Sequence, residues 1–194
     1  MKDYYIPDII EKVKSGIIHI VHVVDGKRVS SGTGFMVNGY LVTNYHVINH
    51  SNKDSYIVLR TYDLDPPKHN PDEFLELEGI KVCRNYNNFF PVETGIEFHD
   101  YCVLDIPELK ERSKRGELYN FLLDSDTHKK VGEEILFTGY HFDHYRIVSH
   151  RGFISSFYTS TTYDSNKNKY EVDKIQIDAS VNSGSSGSPL IDPN

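Results

Sequence analysis

The chain has no tryptophan and only two cysteines in 194 residues. The missing tryptophan decides little, because tyrosine is abundant. Two cysteines, Cys83 and Cys102, are too few for a small secreted scaffold stapled by disulfides. Two readings of the pair stay open: small buried thiols in a reducing compartment, or a single bridge, since spacing does not reveal distance. Clustered positive charge is also missing. Lys and Arg number 21 against 28 Asp and Glu, a net charge of −7. That excludes a surface built for nucleic acid or anionic membrane, because phosphate binding needs grouped Lys and Arg. The densest basic stretch, Lys110 to Arg115, is interrupted by Glu111 and reads as a solvated helix or loop. No apolar run approaches the roughly 20 residues that cross a bilayer. The first residues, Met1 to Lys14, carry Lys2, Asp3, Asp8, Glu11 and Lys12, which leaves no apolar stretch for a signal peptide. The expectation is a soluble, cytoplasmic chain with no membrane contact. No internal repeat and no low-complexity segment is present.

What is present is a series of short β-branched runs separated by turn residues. A short helix is expected over Ile9 to Lys14. Ile17 to Val24 reads as a strand ending at Asp25-Gly26, a hairpin signal. Gly34 to Val37 leads to a second such signal, Asn38-Gly39, and Tyr40 to Thr43 follows as a strand. Tyr56 to Tyr62, Ile80 to Cys83 and Asp100 to Ile106 read as further strands, with a Pro-rich loop from Asp65 to Pro71. Glu108 to Leu123 is charged with helical spacing and is expected to connect two halves. Strands resume at Glu134 to Thr138, Phe153 to Phe157 and Lys174 to Asp178. Many short strands at roughly even spacing imply an all-β sandwich or barrel.

Three segments carry chemistry. The first is Gln176 to Leu190, with Gly184-Ser185-Ser186-Gly187-Ser188-Pro189 at its centre. A serine hydroxyl needs a base to take its proton and backbone N–H groups aimed at the oxygen that becomes negative. A tight turn with Gly184 two residues before Ser186 lets the N–H groups of Gly184 and Ser186 converge on one point. Read alone, the segment is also a plain Gly/Ser loop. The second, Ser31-Gly32-Thr33-Gly34-Phe35 through Thr43-Asn44-Tyr45-His46, is a hairpin ending in a histidine, the usual general base near neutral pH. The third is His99-Asp100-Tyr101-Cys102-Val103-Leu104-Asp105. A carboxylate beginning an apolar strand can accept a histidine Nδ1–H and fix its tautomer. Asp105 competes for that role but falls on the opposite side of the strand from Asp100. Beside this serine motif, neither cysteine is the stronger nucleophile.

Jointly these segments resemble the trypsin-like peptidases, and within them the HtrA and V8-like bacterial branches. The order His46, Asp100, Ser186 is that family's order, and Gln176 to Leu190 is similar to the HtrA nucleophile segment nearly residue for residue. Val131-Gly132 to Gly139-Tyr140 and Gly152 to Ser155 are similar to strand motifs of its second barrel. The resemblance implies two antiparallel β-barrels of the chymotrypsin type. The expected boundaries are residues 1–107 for an N-terminal barrel with its short helix, 108–128 for a connecting segment and 129–194 for the C-terminal barrel. It implies a serine endopeptidase with His46, Asp100 and Ser186 as triad, backbone N–H groups of Gly184 and Ser186 as oxyanion hole, and no cofactor. Its S1 pocket floor falls six residues before the nucleophile, at Ser180, with Val181 beside it. Both are uncharged, which implies an uncharged P1 residue.

Two departures from the family shape the remaining expectations. The family's last two strands, which close the second barrel and wall the S1 pocket, do not appear before Asn194. The chain is therefore expected to be an N-terminal protease domain of a longer, regulated protein, completed by a C-terminal region or a partner chain. Ser185 stands where trypsin-like zymogens have an aspartate, so activation by a newly cut N-terminus is not expected. Glutamyl specificity of the V8 type and a non-catalytic binding module remain alternatives. His141, Asp143, His144 and His150 match no zinc spacing and are read as a polar loop near the active-site mouth, with no metal.

Overall fold

The computed structural model describes residues 5–48, 55–64, 78–83, 91–94, 100–124, 129–140, 145–163 and 167–193. Helix α1 (Ile6–Val13) starts at Pro7, whose missing N–H costs nothing in a first turn, and runs into a 3-10 turn at Lys14–Gly16. Strands β1 (Ile17–Val24), β2 (Lys27–Val37) and β3 (Tyr40–Thr43) follow. They are joined by Asp25-Gly26 and Asn38-Gly39, in which both residues have positive φ, as two-residue hairpins require. Then come α2 (Tyr45–Ile48), β4 (Ser55–Arg60), β5 (Ile80–Cys83), β6 (Pro91–Thr94), β7 (Cys102–Leu104) and α3 (Pro107–Lys114). The last part holds β8 (Glu134–Tyr140), β9 (Ile147–Tyr163), β10 (Lys169–Asp178) and β11 (Leu190–Ile191).

The strands form two antiparallel sheets, ordered β5-β4-β1-β2-β3-β7-β6 and β10-β9-β8-β11. The chain is all-β, as expected. Alternation along β1 divides its side chains between two cores. Ile18 and Ile20 join Met36, Leu41, Leu59, Leu104 and Leu109 inside the first sheet. Ile17 turns the other way and packs with Val13, Val37, Phe121, Leu136, Tyr140 and Ile191, a seam shared by α1, both sheets and the connecting segment. The inner side of the second sheet is thinner, with Ile135, Phe137 and Ile154.

Four elements differ from expectation. The charged stretch after Ile106 is helical only to Lys114. Gly116, at φ +75°, ends it with Gly116 N–H donating to Ser113 O and Glu117 N–H to Arg112 O, the paired bonds of a Schellman cap. Strand β6 begins with Pro91 and lies at a sheet edge, where a missing N–H removes no ladder bond. Strand β11 has two residues, too few for an alternating pattern. Strand β9 runs 17 residues, far beyond Phe157; its Ser/Thr half alternates exposed and half-buried positions but carries Ser and Thr on the covered side, so it shows no apolar alternation.

Candidate active site

His46 sits on α2, directly after β3. Val47 and Ile48 bury into the first core, which fixes the short helix and leaves the imidazole exposed. The β3–β7 ladder pairs Thr43 with Cys102. Continuing that antiparallel register by two residues sets Asp100 opposite Tyr45. Asp100 then makes four hydrogen bonds to three consecutive residues. Its backbone carbonyl accepts from Tyr45 N–H (3.1 Å) and Asn44 Nδ2 (2.7 Å). Its Oδ1 accepts the His46 backbone N–H (2.8 Å), and its Oδ2 lies 2.5 Å from His46 Nδ1. Asp100 has φ +43°, a left-handed conformation that Asp adopts more readily than most residues. A carboxylate at Nδ1 makes that nitrogen the donor and leaves Nε2 with its lone pair. Asp105 plays no part here: its Oδ2 accepts from Lys110 Nζ at 2.9 Å.

Ser186 lies in the second of two successive tight turns that share Ser185. Ser185 N–H donates to Asn182 O (3.1 Å) and Ser188 N–H to Ser185 O (3.0 Å). Gly184 and Gly187 occupy the third position of their turns at φ +92° and +83°, the type II requirement. At Gly187 a Cβ would also fall 2.0 Å from Thr33 O and 2.5 Å from Thr43 Oγ1, so the turn presses directly on the first sheet. Ser186 O accepts from Thr33 N–H at 2.8 Å. The Ser186 carbonyl and the Val47 side chain crowd the same glycine, Gly32: a Cβ there would fall 3.2 Å from Ser186 O and 2.5 Å from Val47. The Ser186 backbone thus packs on the strand residue that the neighbour of His46, Val47, also covers. Among the described residues, neither the Gly184 nor the Ser186 N–H donates a hydrogen bond.

The other candidate positions are placed less closely. Ser180 and Val181 are exposed, Val181 by 60%, on the segment between β10 and the turns, and the described residues do not enclose them. Cys102 is a free, buried thiol, and burial pushes its pKa up to about 11. The Cys83 side chain and residues 141–144, with His141, Asp143 and His144, fall outside the described residues. Among those described, no group of three or more His, Cys, Asp or Glu is placed to hold a metal ion. No described helix is long and apolar enough to cross a membrane.

Two contributors escaped the sequence reading. Asn44 reaches the Asp100 carbonyl. Thr33, fully buried, accepts Tyr140 N–H (2.8 Å) and donates to Gly184 O (3.0 Å). The only sequence signal for Thr33 is a hydroxyl residue between two glycines. Close by, His19 is buried and stacked on Tyr140 with ring centroids 4.5 Å apart. Its pKa is lowered to about 3, by burial first and then by Arg60 and Arg28.

A histidine gripped by a carboxylate on one sheet, and a serine on a glycine-bounded turn that docks on that sheet, are parts that a serine hydrolase uses. The chain belongs to the trypsin-like peptidase family, whose domain model matches residues 32–194. It is 26% identical to the serine protease HTRA1A of Danio rerio over 199 aligned residues, covering 96% of this chain and 34% of that protein. The chain therefore spans about a third of the length of this relative. The Rv3671c protease of M. tuberculosis in its active form superposes with a TM-score of 0.64 at 19% identity, over 96% of this chain and 71% of that one. A serine endoprotease from Yersinia pestis gives 0.62 at 16% identity, over 97% of this chain and 54% of that one. The likeness to both shows the fold, two antiparallel β-barrels of the chymotrypsin type.

Proposed function

We propose that the protein is a serine endopeptidase that hydrolyses peptide bonds of protein substrates through an acyl-enzyme. His46 Nε2 takes the Ser186 Oγ proton as Oγ attacks the scissile carbonyl. The backbone N–H groups of Gly184 and Ser186 bind the oxyanion that forms. The imidazolium, stabilised by Asp100, gives its proton to the leaving amine, and water then hydrolyses the acyl-enzyme in the same way. The observation that carries this reading is the double grip of the Asp100 carboxylate on His46, at its backbone N–H (2.8 Å) and at Nδ1 (2.5 Å). The undonated N–H groups of Gly184 and Ser186 support the oxyanion assignment.

The site lies between two units, residues 1–107 and 129–194, joined by 108–128. Helix α1 packs on the seam between them and belongs to neither core alone. The domain works as the N-terminal protease part of a longer, regulated protein, in which a C-terminal region or a partner chain completes the second barrel and the S1 wall. Ser180 and Val181 form the S1 floor. Cleavage after Lys or Arg needs a buried carboxylate there, since an unpaired buried cation costs several kcal/mol. Ser180 offers none, so the P1 residue is uncharged, small to medium and apolar.

The test is fluorophosphonate labelling of the full-length protein. Ser186 should be the labelled residue, and Ser186→Ala should remove the label and lower kcat on the order of 10⁶-fold. An unlabelled wild type whose cleavage matches that of Ser186→Ala would leave a non-catalytic binding module. Peptide-library profiling tests the pocket: dominant cleavage after Lys or Arg would refute it, and dominant cleavage after Glu would favour the V8-type alternative.

A further inference from the structure

We propose that Thr33 is a positioning residue that holds the oxyanion-binding turn in its working geometry, an inference that rests on the role given above to Gly184 and Ser186. Thr33 is fully buried, and its polar groups form four hydrogen bonds that tie three elements together. Its N–H donates to Ser186 O (2.8 Å), and its carbonyl accepts from Thr43 Oγ1 (2.7 Å). Its hydroxyl accepts from Tyr140 N–H (2.8 Å) and donates to Gly184 O (3.0 Å). The hydroxyl has one proton and two carbonyls within range, Gly184 O at 3.0 Å and Tyr140 O at 3.5 Å. The nearer one takes it, because hydrogen bonds weaken quickly beyond ordinary length.

The consequence follows from peptide planarity. Thr33 grips the carbonyls of Gly184 and Ser186, the two that flank the Ser185–Ser186 peptide. That peptide carries the Ser186 N–H. Gripping the Gly184 carbonyl also fixes the plane of the Gly184–Ser185 unit, whose own N–H is held by Asn182 O. The Ser186 N–H therefore lies on a peptide held on both flanks by Thr33, and the Gly184 N–H, on the peptide preceding Gly184–Ser185, is steadied through the carbonyl of its own residue. The hydroxyl sits in a tight spot: a Cβ on Gly139 would fall 2.8 Å from Thr33 Oγ1 and 1.9 Å from Ser188 Oγ. Through Thr43, Thr33 also ties the turn to β3, the strand that leads into His46. One buried hydroxyl residue therefore sets nucleophile side and base side in register.

Thr33→Val keeps the shape and removes only the hydroxyl, leaving Tyr140 N–H and Gly184 O without partners. Thr33→Ser keeps the hydroxyl. In the full-length protein, Thr33→Val should lower kcat by about 10- to 100-fold, approaching the loss of one oxyanion donor. KM should stay within about two-fold, because only transition-state binding is lost. Thr33→Ser should restore most of kcat. A folded Thr33→Val enzyme with wild-type kcat overturns the proposal. So does a loss of kcat that comes with an equal rise in KM and that Thr33→Ser does not restore, the pattern of a merely structural role. Hydrogen exchange over residues 182–188 separates this from the proposed activity. If wild type and Ser186→Ala prove equally inactive, faster exchange at Ser185 and Ser188 in Thr33→Val still supports the positioning role, and unchanged exchange overturns it.

Discussion

Among the described residues, the first sheet wraps a broad core running from Ile18 through Leu59 and Leu104 to Leu118, whereas the second gathers a smaller cluster of Ile135, Phe137 and Ile154 with Ile177 partly buried against it. The site is divided along the same line. His46 and Asp100 stand on the first sheet and are fixed by its own ladder, strand β7 against β3. Ser186 stands on a turn of the second sheet that takes its support from the first, through Thr33. The proposed acid–base pair is held by hydrogen bonds within its own well-packed unit. The nucleophile is placed by contact with a neighbour. Activity should therefore be more sensitive than stability to changes at the junction, and stability more sensitive to changes in the first core.

Four experiments would break or sharpen this contrast. The largest effect is expected at the acid. Asp100→Asn should cost about 10⁴ in kcat by holding His46 in the wrong tautomer, while Asp105→Asn, which loses only the contact to Lys110, should cleave peptide like wild type. Steady-state kinetics on one peptide substrate checks both, and the reverse order would exchange the roles of the two carboxylates. Next comes the first core. Leu104→Ala should destabilise the protein by about 2–5 kcal/mol in denaturant unfolding, the ordinary range for a buried leucine.

The third effect is a pH dependence from the seam. His19 has a folded pKa of about 3 against an ordinary 6.5, held down by burial and by Arg60 and Arg28, with the rings of Tyr140 and Tyr145 against it. Between those values the unfolded chain binds a proton that the folded one refuses. The stability from neutral His19 is present in full above pH 6.5 and is lost as pH falls toward 3, with a slope approaching about 1.4 kcal/mol per unit. Unfolding curves from about pH 7 to 5 should show it, and His19→Phe, which keeps the stack on Tyr140, should flatten the curve. The smallest effect is expected on the β9–β10 hairpin. Phe157 and Ile175 are cross-strand neighbours, 44% and 50% exposed. Replacing either by Thr should change stability by less than about 1 kcal/mol. A larger loss would mean that the thin sheet is more tightly integrated than its core implies.

Much of this was legible in the sequence because it is local. Asp25-Gly26 and Asn38-Gly39 mark the first two hairpins to the residue, since both positions need positive φ. Asp100 at the head of an apolar strand is placed by strand register, which alternation reveals. The parts that were not legible depend on burial or distance. Pro91 is acceptable in β6 only because that strand is an edge. The Ser/Thr half of β9 gives no apolar rhythm because its partly covered face carries Ser156, Ser160 and Thr162 rather than apolar side chains. The end of α3 was written in Gly116, but the charged pattern continues past it and hides the stop. Thr33 gave no more than a hydroxyl between two glycines because its partners, Tyr140 and Gly184, are 107 and 151 residues away.

Those two separations also bear on when the site comes into being. Contacts between distant residues form late, after loop-closure entropy has been overcome, and synthesis delivers the N-terminal part first. The His46–Asp100 pair is complete within the first sheet while the segment bearing Ser186 has still to be made. That segment then docks its turn on Thr33, through the Gly184 and Ser186 carbonyls. On the proposed mechanism, the expectation is that the base is in place before the nucleophile, and that the catalytic set is complete only once the segment bearing Ser186 has docked.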